Sequence, residues 1–403
     1  MVSLPDQESD LGTLRLPARV HFGYGARAQL GEIVRVHGRR VLAVVDPFLL
    51  GGRFFDETVG ALTADGFAVR VHSEITPELP VGSLDAAGAI ARDHRPEVIV
   101  AIGGGSAIDA AKLIALLAAH GGPLSRYYGE NLVPGPVVPI VALPTTAGTG
   151  SEVTPVAVVS DPDRELKVGI ASPFLVPAAA IVDPEFTLGS PAPVTAFAGI
   201  DALVHAVESY TARAFDLDWS LPLPVFTGRN ALAEPIALQA VRHLGRWLEV
   251  AVARPADRRA RAEVARGALL GGIAFGSTGT HLCHALQYPI GALTKTPHGL
   301  GTGLMLPYVI GALPADARLA ALGAALEGTP ASSADRLLSR VVEINRAIGV
   351  PATLAEIGVG REQLPHIADL ALGSRRLLAI APIEPTRAVL LEILERAHQG
   401  VLA

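Results

Sequence analysis

The chain has 403 residues, of which 50% are hydrophobic, so it is long enough for two domains with a core each, and a single small module is excluded. Charged residues make up 18% and the formal net charge is −6, which excludes a basic surface for nucleic acid or an anionic membrane. We therefore expect the partner to be a small molecule.

The number of cysteines and the N-terminal residues indicate the cellular compartment. Cys283 is the only cysteine, so no intrachain disulfide can form, and the opening MVSLPDQESD is acidic where a secretory signal would be basic and then apolar. The uncharged stretch 267–294 contains several glycines, two histidines and Pro289, which favours buried core over a membrane span. These features predict a cytoplasmic protein.

Between about residues 40 and 185, short apolar runs alternate with helical patterns, which is typical of a parallel sheet covered by helices. The predicted strands are VLAVVD (41–46), AVRVH (68–72), EVIVAIGGG (97–105), VPIVALPTT (138–146), VAVVS (156–160) and AAAIVDP (178–184). The predicted helices are residues 54–65, 82–94 and 107–120, with Ser83 and Ser106 as the expected N-terminal caps of the last two.

After about residue 190 the strand pattern fades, and apolar residues recur at helical spacing in residues 194–212, 234–253 and 334–349. The stretch LGSPAP (188–193) interrupts both periodicities with glycine and proline. We therefore predict an α/β domain with a Rossmann-like parallel sheet at residues 1–190, followed by an all-α domain at residues 191–403.

The segment EVIVAIGGGSAIDAAK is an apolar strand that runs into three glycines and then into a helix. Gly103, Gly104 and Gly105 let the backbone approach an anion, and the N-terminus of the helix that carries Ser106 and Asp109 favours negative charge. This arrangement predicts a pyrophosphate site. A tight strand-to-helix connection without any ligand is the alternative.

A second polar loop, PTTAGTGSEVT (144–154), follows the next apolar strand. Its candidate contacts are Thr145, Thr146, Thr149, Ser151 and Val153, whose hydroxyls and exposed amides suit phosphate, ribose or a carboxamide. Two such loops at successive strand ends form a crevice at the carboxyl edge of the sheet, where open α/β sheets bind ligands. The presence of both loops therefore favours nucleotide binding over a polar loop that binds no ligand.

Asp46, at the end of VLAVVD, is the candidate acid for the adenosine ribose. A carboxylate there accepts the ribose hydroxyls and repels a 2′-phosphate, which favours NAD over NADP. The usual G-x-G-x-x-G fingerprint is absent, and here the glycine loop follows the acid. A capping or turn role ahead of Pro47 stays open as the alternative.

In the predicted helix TAFAGIDALVHAVESY, Asp201 and His205 are four residues apart and project from one face. An Asp and a His at this spacing are more often an exposed pair or a helix cap, but the neighbouring residues here are apolar, which indicates burial. An unpaired buried carboxylate is costly, whereas a divalent cation would neutralise it and use both groups as ligands.

The segment GTHLCHALQYPIGALTKTPHGLG supplies His281, His284 and His298. The prolines and glycines at positions 289, 291, 297 and 299 exclude one continuous helix between the last two, so the chain must turn and can bring both imidazoles together. One carboxylate with three imidazoles suits Fe²⁺, Zn²⁺ or a similar divalent ion. His281 is a possible substitute ligand, although its spacing from His284 more simply makes it a pocket group.

Taken together, GGGSAIDAAK, PTTAGTGSEVT, GIDALVHAVESY and HALQYPIGALTKTPHG resemble the iron-containing, or group III, alcohol dehydrogenase family, whose fold is shared with dehydroquinate synthase. The four motifs occur in the same order as in the family, and the resemblance covers nearly the whole chain. The resemblance implies an α/β domain that binds NAD(P), an all-helical domain that binds metal and substrate, and at least a homodimer.

The resemblance also implies roles for individual residues. The family's Asp, His, His, His ligand pattern falls on Asp201, His205, His284 and His298, and its acid after the first strand falls on Asp46. The threonine-rich cofactor loop matches residues 144–154, and Lys167 matches a lysine that usually follows that loop.

At one position the sequence departs from the family. Many members carry a histidine four residues after the third ligand, and here the residue is Tyr288, whose pKa near 10 makes it a poorer proton relay at neutral pH. We expect Tyr288 and His281 to be the catalytic groups beside the metal. The wording HLCHALQYPI also resembles the hydroxyacid-oxoacid transhydrogenases.

We therefore predict a metal-dependent, NAD-linked alcohol dehydrogenase or aldehyde reductase that acts on a small alcohol, aldehyde or hydroxyacid. The first alternative is a transhydrogenase that keeps its NAD bound. A metal-dependent lyase resembling dehydroquinate synthase is less favoured, because the metal segment 274–303 offers only Lys295 for an acidic substrate. A catalytically inactive NAD-binding regulator is disfavoured by the complete ligand set.

Overall fold

The computed structural model describes residues 12–76 and 78–402. These residues form two compact units, one of residues 15–189 and the other of residues 190–402 together with residues 12–14. The first unit contains the β-sheet, and in the described part of the second unit the regular elements are helices. The predicted order, α/β and then all-α, is therefore confirmed, while the functional assignment of each unit stays a prediction.

The main sheet of the first unit is parallel and has the strand order β1-β9-β6-β4-β2-β3. The strands of this unit are β1 (Arg19–Phe22), β2 (Arg40–Val45), β3 (Ala68–His72), β4 (Val98–Gly103), β5 (Gly129–Glu130), β6 (Ile140–Pro144), β7 (Val156–Val159), β8 (Val168–Ala171) and β9 (Ala179–Val182). The central strands are apolar along their whole length because helices cover both faces of the sheet.

The helices of this unit are α1 (Leu30–Arg35), α2 (Arg53–Phe55), α3 (Ala61–Ala64), α4 (Val81–His94) and α5 (Gly105–His120), with a π-helical turn at Asp56–Gly60 between α2 and α3. The predicted helices at 82–94 and 107–120 correspond to α4 and α5. Both begin earlier than the predicted serine caps, since the N-cap residues are Pro80 and Gly104. Ser83 lies inside α4, and its hydroxyl donates to the carbonyl of Pro80 over 2.7 Å.

The chain order of the strands places a topological switch point between β2 and β4. From β2 the chain moves outward to β3, and β4 then returns to the other side of β2, with β6 beyond it. Because these strands are parallel, the segments that follow β2, β4 and β6 leave the sheet at one edge. Ligands of open α/β sheets bind at such a point.

One strand prediction was wrong in its placement. VAVVS forms β7, but β7 lies in a separate three-stranded sheet with β5 and β8 and runs antiparallel to β8. A short apolar run does not specify its pairing partner, because any exposed strand edge can accept it. The edge strand β1 and the short strands β5 and β8 were not predicted.

The second unit consists of helices packed around apolar side chains. They are α6 (Ala192–Thr211), α7 (Glu234–Ala253), α8 (Arg258–Thr278), α9 (Leu282–Thr294), α10 (His298–Ala312), α11 (Ala317–Glu327), α12 (Ala334–Ile348), α13 (Leu364–Leu372), α14 (Arg375–Ala379) and α15 (Arg387–Gln399). Helix α6 is buried along nearly its whole length, which fits its apolar composition. None of the helices in the described ranges is both long and apolar enough to cross a membrane.

Candidate metal centre and cofactor site

Helix α6 presents three polar side chains on one buried face. Asp201, His205 and Glu208 follow the spacing i, i+4 and i+7, which places them above one another along the helix. Their residues are only 3%, 5% and 0% exposed. Two acids and an imidazole that are this deeply buried need partners, and the next helices supply them.

The two remaining predicted ligands stand at the starts of neighbouring helices. His284 lies in the first turn of α9, and His298 is the first residue of α10. The break between these helices is at residues 295–297, where Lys295 adopts a left-handed conformation with φ 57°. Pro289 lies inside α9, so the prediction that it helps to interrupt the helix was wrong.

The ligand atoms of Asp201, His284 and His298 all lie within 4.8 Å of one another. Oδ1 of Asp201 is 3.9 Å from Nε2 of His284 and 3.6 Å from Nε2 of His298. Its Oδ2 is 3.8 Å from Nε2 of His205. These gaps are too long for hydrogen bonds, and they are close to the ligand separation of roughly 3.4 Å that tetrahedral bonds of about 2.1 Å to a metal produce.

The ionisation of the cluster also fits a cation. Burial alone would raise the pKa of Asp201, but the imidazoles of His205, His298 and His284 hold it below its ordinary value. Nε2 of His284 is buried and has no hydrogen-bond partner among the described residues. A buried nitrogen lone pair aimed at a carboxylate is unfavourable unless a cation lies between them, so the residues present suit a divalent metal ion.

Glu208 was not recognised from the sequence, and it holds His284 in place. Its Oε2 accepts hydrogen bonds from Nδ1 of His284 over 2.6 Å and from the backbone N–H of His281 over 3.0 Å. Its Oε1 accepts from the backbone N–H of Cys283 over 2.6 Å. The proton on Nδ1 leaves the Nε2 lone pair of His284 facing Asp201, as a metal ligand requires.

Gln287 supports His298 in the same way. Its Oε1 accepts a hydrogen bond from Nδ1 of His298 over 2.7 Å, which leaves Nε2 on the side of Asp201. Two glycines make room for the Gln287 side chain, because a Cβ at Gly291 or Gly301 would lie 2.6 or 2.8 Å from it. Both supporting residues lie within the quoted motifs, but the spacing of the ligands in the sequence does not indicate their role.

His281 and Tyr288 occupy different surroundings on either side of His284. His281 caps α9, is 1% exposed, and places Nδ1 3.1 Å from Glu208 and Nε2 2.9 Å from the hydroxyl of Thr211. The half-buried Tyr288 has its ring centre 6.1 Å from that of His298. His281 thus contacts Glu208, which orients His284, whereas Tyr288 lies beside His298. A catalytic role for either residue stays a prediction.

In the first unit, the structure brings the three predicted cofactor segments into contact at the switch point. A Cβ at Gly103 would lie 2.9 Å from Cβ of Asp46, and a Cβ at Gly105 would lie 2.6 Å from Cγ2 of Thr149. The backbone N–H of Thr145 donates to the carbonyl of Gly103 over 3.0 Å. Glycine is therefore required at these two positions by close approach, whether or not a ligand is bound.

The residues predicted to contact the cofactor differ in whether their side chains are accessible to a ligand. Ser106 is exposed in the first turn of α5, and Thr146 and Thr149 are half-buried, so these hydroxyls remain accessible. The side chain of Val153 is in the core, which leaves only its backbone for a ligand. The Ser151 hydroxyl donates to Oδ1 of Asp109 over 2.5 Å, so these two predicted contacts bind each other.

Asp46 and Lys167 have protein partners of their own. Oδ1 of Asp46 accepts a hydrogen bond from the backbone N–H of Phe48 over 3.0 Å and caps the short turn Pro47–Leu49, as the alternative reading of the sequence proposed. Lys167 forms an ion pair with Glu78 over 3.1 Å. Their roles in cofactor binding stay predictions.

Comparison with known proteins identifies the family to which the chain is similar. The family model described as iron-containing alcohol dehydrogenase matches residues 17–184, and the model of the C-terminal part of the Fe-containing alcohol dehydrogenase family matches residues 195–398. Long-chain-alcohol dehydrogenase 1 of Geobacillus thermodenitrificans is 34% identical over 96% of this chain and 96% of its own.

Two further relatives show the same similarity. The NAD-dependent methanol dehydrogenase of Bacillus methanolicus is 32% identical over 88% of this chain and 91% of its own. The crystal structure of a 1,3-propanediol oxidoreductase aligns with a TM-score of 0.88 and 29% identity, over 96% of this chain and 100% of that one. The fold and the family inferred from the four motifs are thereby confirmed, and the chain belongs to the iron-containing alcohol dehydrogenase family.

Proposed function

We propose that the chain is a metal-dependent, NAD-linked alcohol dehydrogenase and aldehyde reductase that moves a hydride between a small alcohol and nicotinamide. The observation that carries the proposal is the convergence of the buried Asp201 and His284 with the half-buried His298, and with His205 beside them. Family membership and the alcohol and methanol dehydrogenase names of the relatives support the same chemistry.

Asp201, His205, His284 and His298 would hold the ion, with Fe²⁺ expected from the family and Zn²⁺ or another divalent ion also suited to these ligands. When bound, such an ion supplies Lewis acidity, which lowers the pKa of an alcohol hydroxyl and polarises a carbonyl. The chain's own part is to keep the imidazoles oriented, and Glu208 does this for His284.

In the first unit, the glycine loop and the N-terminus of α5 would bind the pyrophosphate of the dinucleotide. The accessible hydroxyls of Ser106, Thr146 and Thr149 suit the phosphates and the carboxamide. We assign the adenosine ribose to Asp46, whose carboxylate would disfavour a 2′-phosphate and so select NAD over NADP.

Tyr288 is the proposed donor and acceptor for the proton of the substrate hydroxyl, because it lies beside His298 and carries a hydroxyl where relatives often carry an imidazole. Tyr288→Phe should lower kcat by about 100-fold, the smaller end of the usual effect of losing an acid–base group, and leave metal content unchanged. Unchanged kcat across the pH range would exclude this role.

The decisive experiment is metal analysis combined with a panel of short alcohols, diols and hydroxyacids, scored by NADH absorbance. Turnover that requires both metal and added NAD supports the dehydrogenase. Protein that is purified with NAD bound and turns over only with an oxoacid acceptor would instead identify a transhydrogenase. Product formation without net change in absorbance or an acceptor would favour the lyase.

The same purified protein would test two further proposals. We propose that the chain forms a homodimer or a higher homo-oligomer, as the family resemblance implies, and sedimentation would measure its mass. We also propose a cytoplasmic location, which is supported by the single cysteine and the lack of any possible intrachain disulfide.

A further inference from the structure

Helix α5 carries a lysine that solvent does not reach. Lys112 is 0% exposed and lies between apolar residues of the helix. Its Nζ donates to the carbonyls of Thr154 and Val156, each over 2.8 Å, and to the hydroxyl of Thr154 over 3.3 Å. These acceptors occupy the three protons of the ammonium group, so Lys112 has none left for a ligand.

Asp109 lies one turn earlier on the same face of α5 and contacts the same segment. Its Oδ1 accepts from the hydroxyl of Ser151 over 2.5 Å, and its Oδ2 accepts from the backbone N–H of Val158 over 3.0 Å. Burial lowers the pKa of Lys112 to about 8, against the opposing charges of Asp109 and Glu152. Lys112 is fully buried and Asp109 is half-buried, so both ionisable groups lose hydration, and their hydrogen bonds to residues 151–158 offset that cost.

The segment held in this way is the direct continuation of the hydroxyl loop, residues 145–150, and α5 is the direct continuation of the glycine loop. The two loops touch where Gly105 meets Thr149. A small shift of residues 151–158 along α5 would therefore move Thr146 and Thr149 relative to the glycines. The contacts from α5 fix the distance between the two halves of the anion-binding edge.

We propose that Asp109 and Lys112 are positioning residues that hold the hydroxyl loop against the glycine loop in the conformation that binds a dinucleotide. The inference rests on the proposed NAD-linked function. It assigns Asp109 a role different from the direct cofactor contact expected from the sequence, because both oxygens of its carboxylate accept hydrogen bonds from the protein.

The test compares Asp109→Asn and Lys112→Met with one milder variant, Thr154→Val, and one control, Leu117→Ala. Thr154→Val removes only the hydroxyl and keeps the backbone carbonyl that accepts from Lys112. Leu117→Ala makes a cavity further along α5, where Leu117 faces Gly88 of α4, and so destabilises the unit without touching the loop. The measurements are the Kd for NADH by fluorescence, kcat and KM for NAD, and the unfolding temperature.

We expect the Kd for NADH and the KM for NAD to rise by about tenfold in Asp109→Asn and Lys112→Met, since tenfold corresponds to the loss of roughly one charged hydrogen bond. The kcat at saturating NAD should stay within about threefold of wild type, because neither residue contacts the reacting atoms. Thr154→Val removes one of the three acceptors of Lys112, so it should raise the Kd less than Lys112→Met does. Leu117→Ala should keep the wild-type Kd, although it unfolds at a lower temperature.

A double variant distinguishes positioning from general destabilisation. The Ser151 hydroxyl donates to Asp109, so Asp109→Asn combined with Ser151→Ala should weaken NADH binding no more than the stronger single change. The Asp109→Asn and Ser151→Ala variants also test the positioning role if Lys112→Met does not fold. Fully additive losses would mean that the two side chains act separately, which would overturn the proposal.

The outcomes separate this inference from the function on which it rests. Wild-type protein that binds no NADH would contradict the proposed function itself. Wild-type binding together with a Kd within about twofold in Asp109→Asn and Lys112→Met would overturn the positioning role alone, whatever their unfolding temperatures.

Discussion

Glu208→Gln should weaken metal binding by about 10- to 100-fold, the usual effect of losing the group that orients a metal-ligating histidine. The structure gives the reason. Three N–H groups, on His284 Nδ1 and on the backbones of His281 and Cys283, donate to the two carboxylate oxygens of Glu208. Glutamine has nearly the same shape but offers one oxygen, so its NH₂ group must face at least one of these donors.

The loss in affinity can be compared with the loss in stability. A 10- to 100-fold change in metal affinity is about 1.4–2.7 kcal/mol. In the metal-free protein, one unpaired buried donor costs about 1–3 kcal/mol. Removal of a buried charge offsets part of that cost, so we expect the metal-free variant to fold and to lose less stability than metal affinity.

Metal titration against a competing chelator measures the affinity, and chemical unfolding of the metal-free protein measures the stability. Glu234→Gln is the matched control, because Glu234 is a carboxylate of the same unit that accepts from Arg229 and Arg318. Nitrogen NMR of the His284 ring provides a readout without metal, because the tautomer with the proton on Nδ1 donates to Glu208 and should be less populated in Glu208→Gln. Equal metal affinity in wild type and both variants would refute the reasoning.

Three further predictions concern the α/β unit. Asp46→Ser should reduce the preference for NAD over NADP by about tenfold or more, since the carboxylate that repels a 2′-phosphate is gone, and unchanged ratios of kcat/KM would contradict this. Gly105→Ala should raise the Kd for NADH, because the new Cβ would lie 2.6 Å from Cγ2 of Thr149 and push the two loops apart; an unaltered Kd would show that the loops can separate freely. Burial raises the pKa of Glu152 to about 7, with Lys112 opposing, so the folded state binds the proton more tightly than the unfolded state and stability should fall as pH rises from about 4.5 to 7. The fall is at most roughly 3 kcal/mol, and urea unfolding at pH 5 and pH 8 should find it absent in Glu152→Gln.

The central strands could be predicted because helices bury both faces of the sheet, which leaves continuous apolar runs in β4 and β6. The pairing of β7 could not, since it depends on β8, whose sequence VGIA is short and contains a glycine. Edge strand β1, RVHF, is partly exposed and lacks the apolar run that marked the others.

The ligands and their supports differ in how far the sequence can identify them. Asp201 and His205 share a helix, so their spacing is visible in the sequence. Glu208 shares that face as well, but its role depends on α9, whose first residues are more than seventy positions away along the chain. A buried acid at i+7 has the same pattern whether it binds the ion or orients a neighbour, and only the position of His284 distinguishes the two.

The position of the two acids also answers an electrostatic problem of the metal site. His284 and His298 lie in the first turns of α9 and α10, and helix N-termini carry partial positive charge that disfavours a cation. Asp201 and Glu208 together supply two negative charges near these N-termini, and Glu208 accepts hydrogen bonds from backbone N–H groups at the start of α9. A divalent ion therefore completes a neutral cluster, whereas Glu208→Gln leaves one uncompensated positive charge in the core. Glu208→Gln should therefore lose more metal affinity than a substitution that removes one of these hydrogen bonds but keeps the negative charge of Glu208.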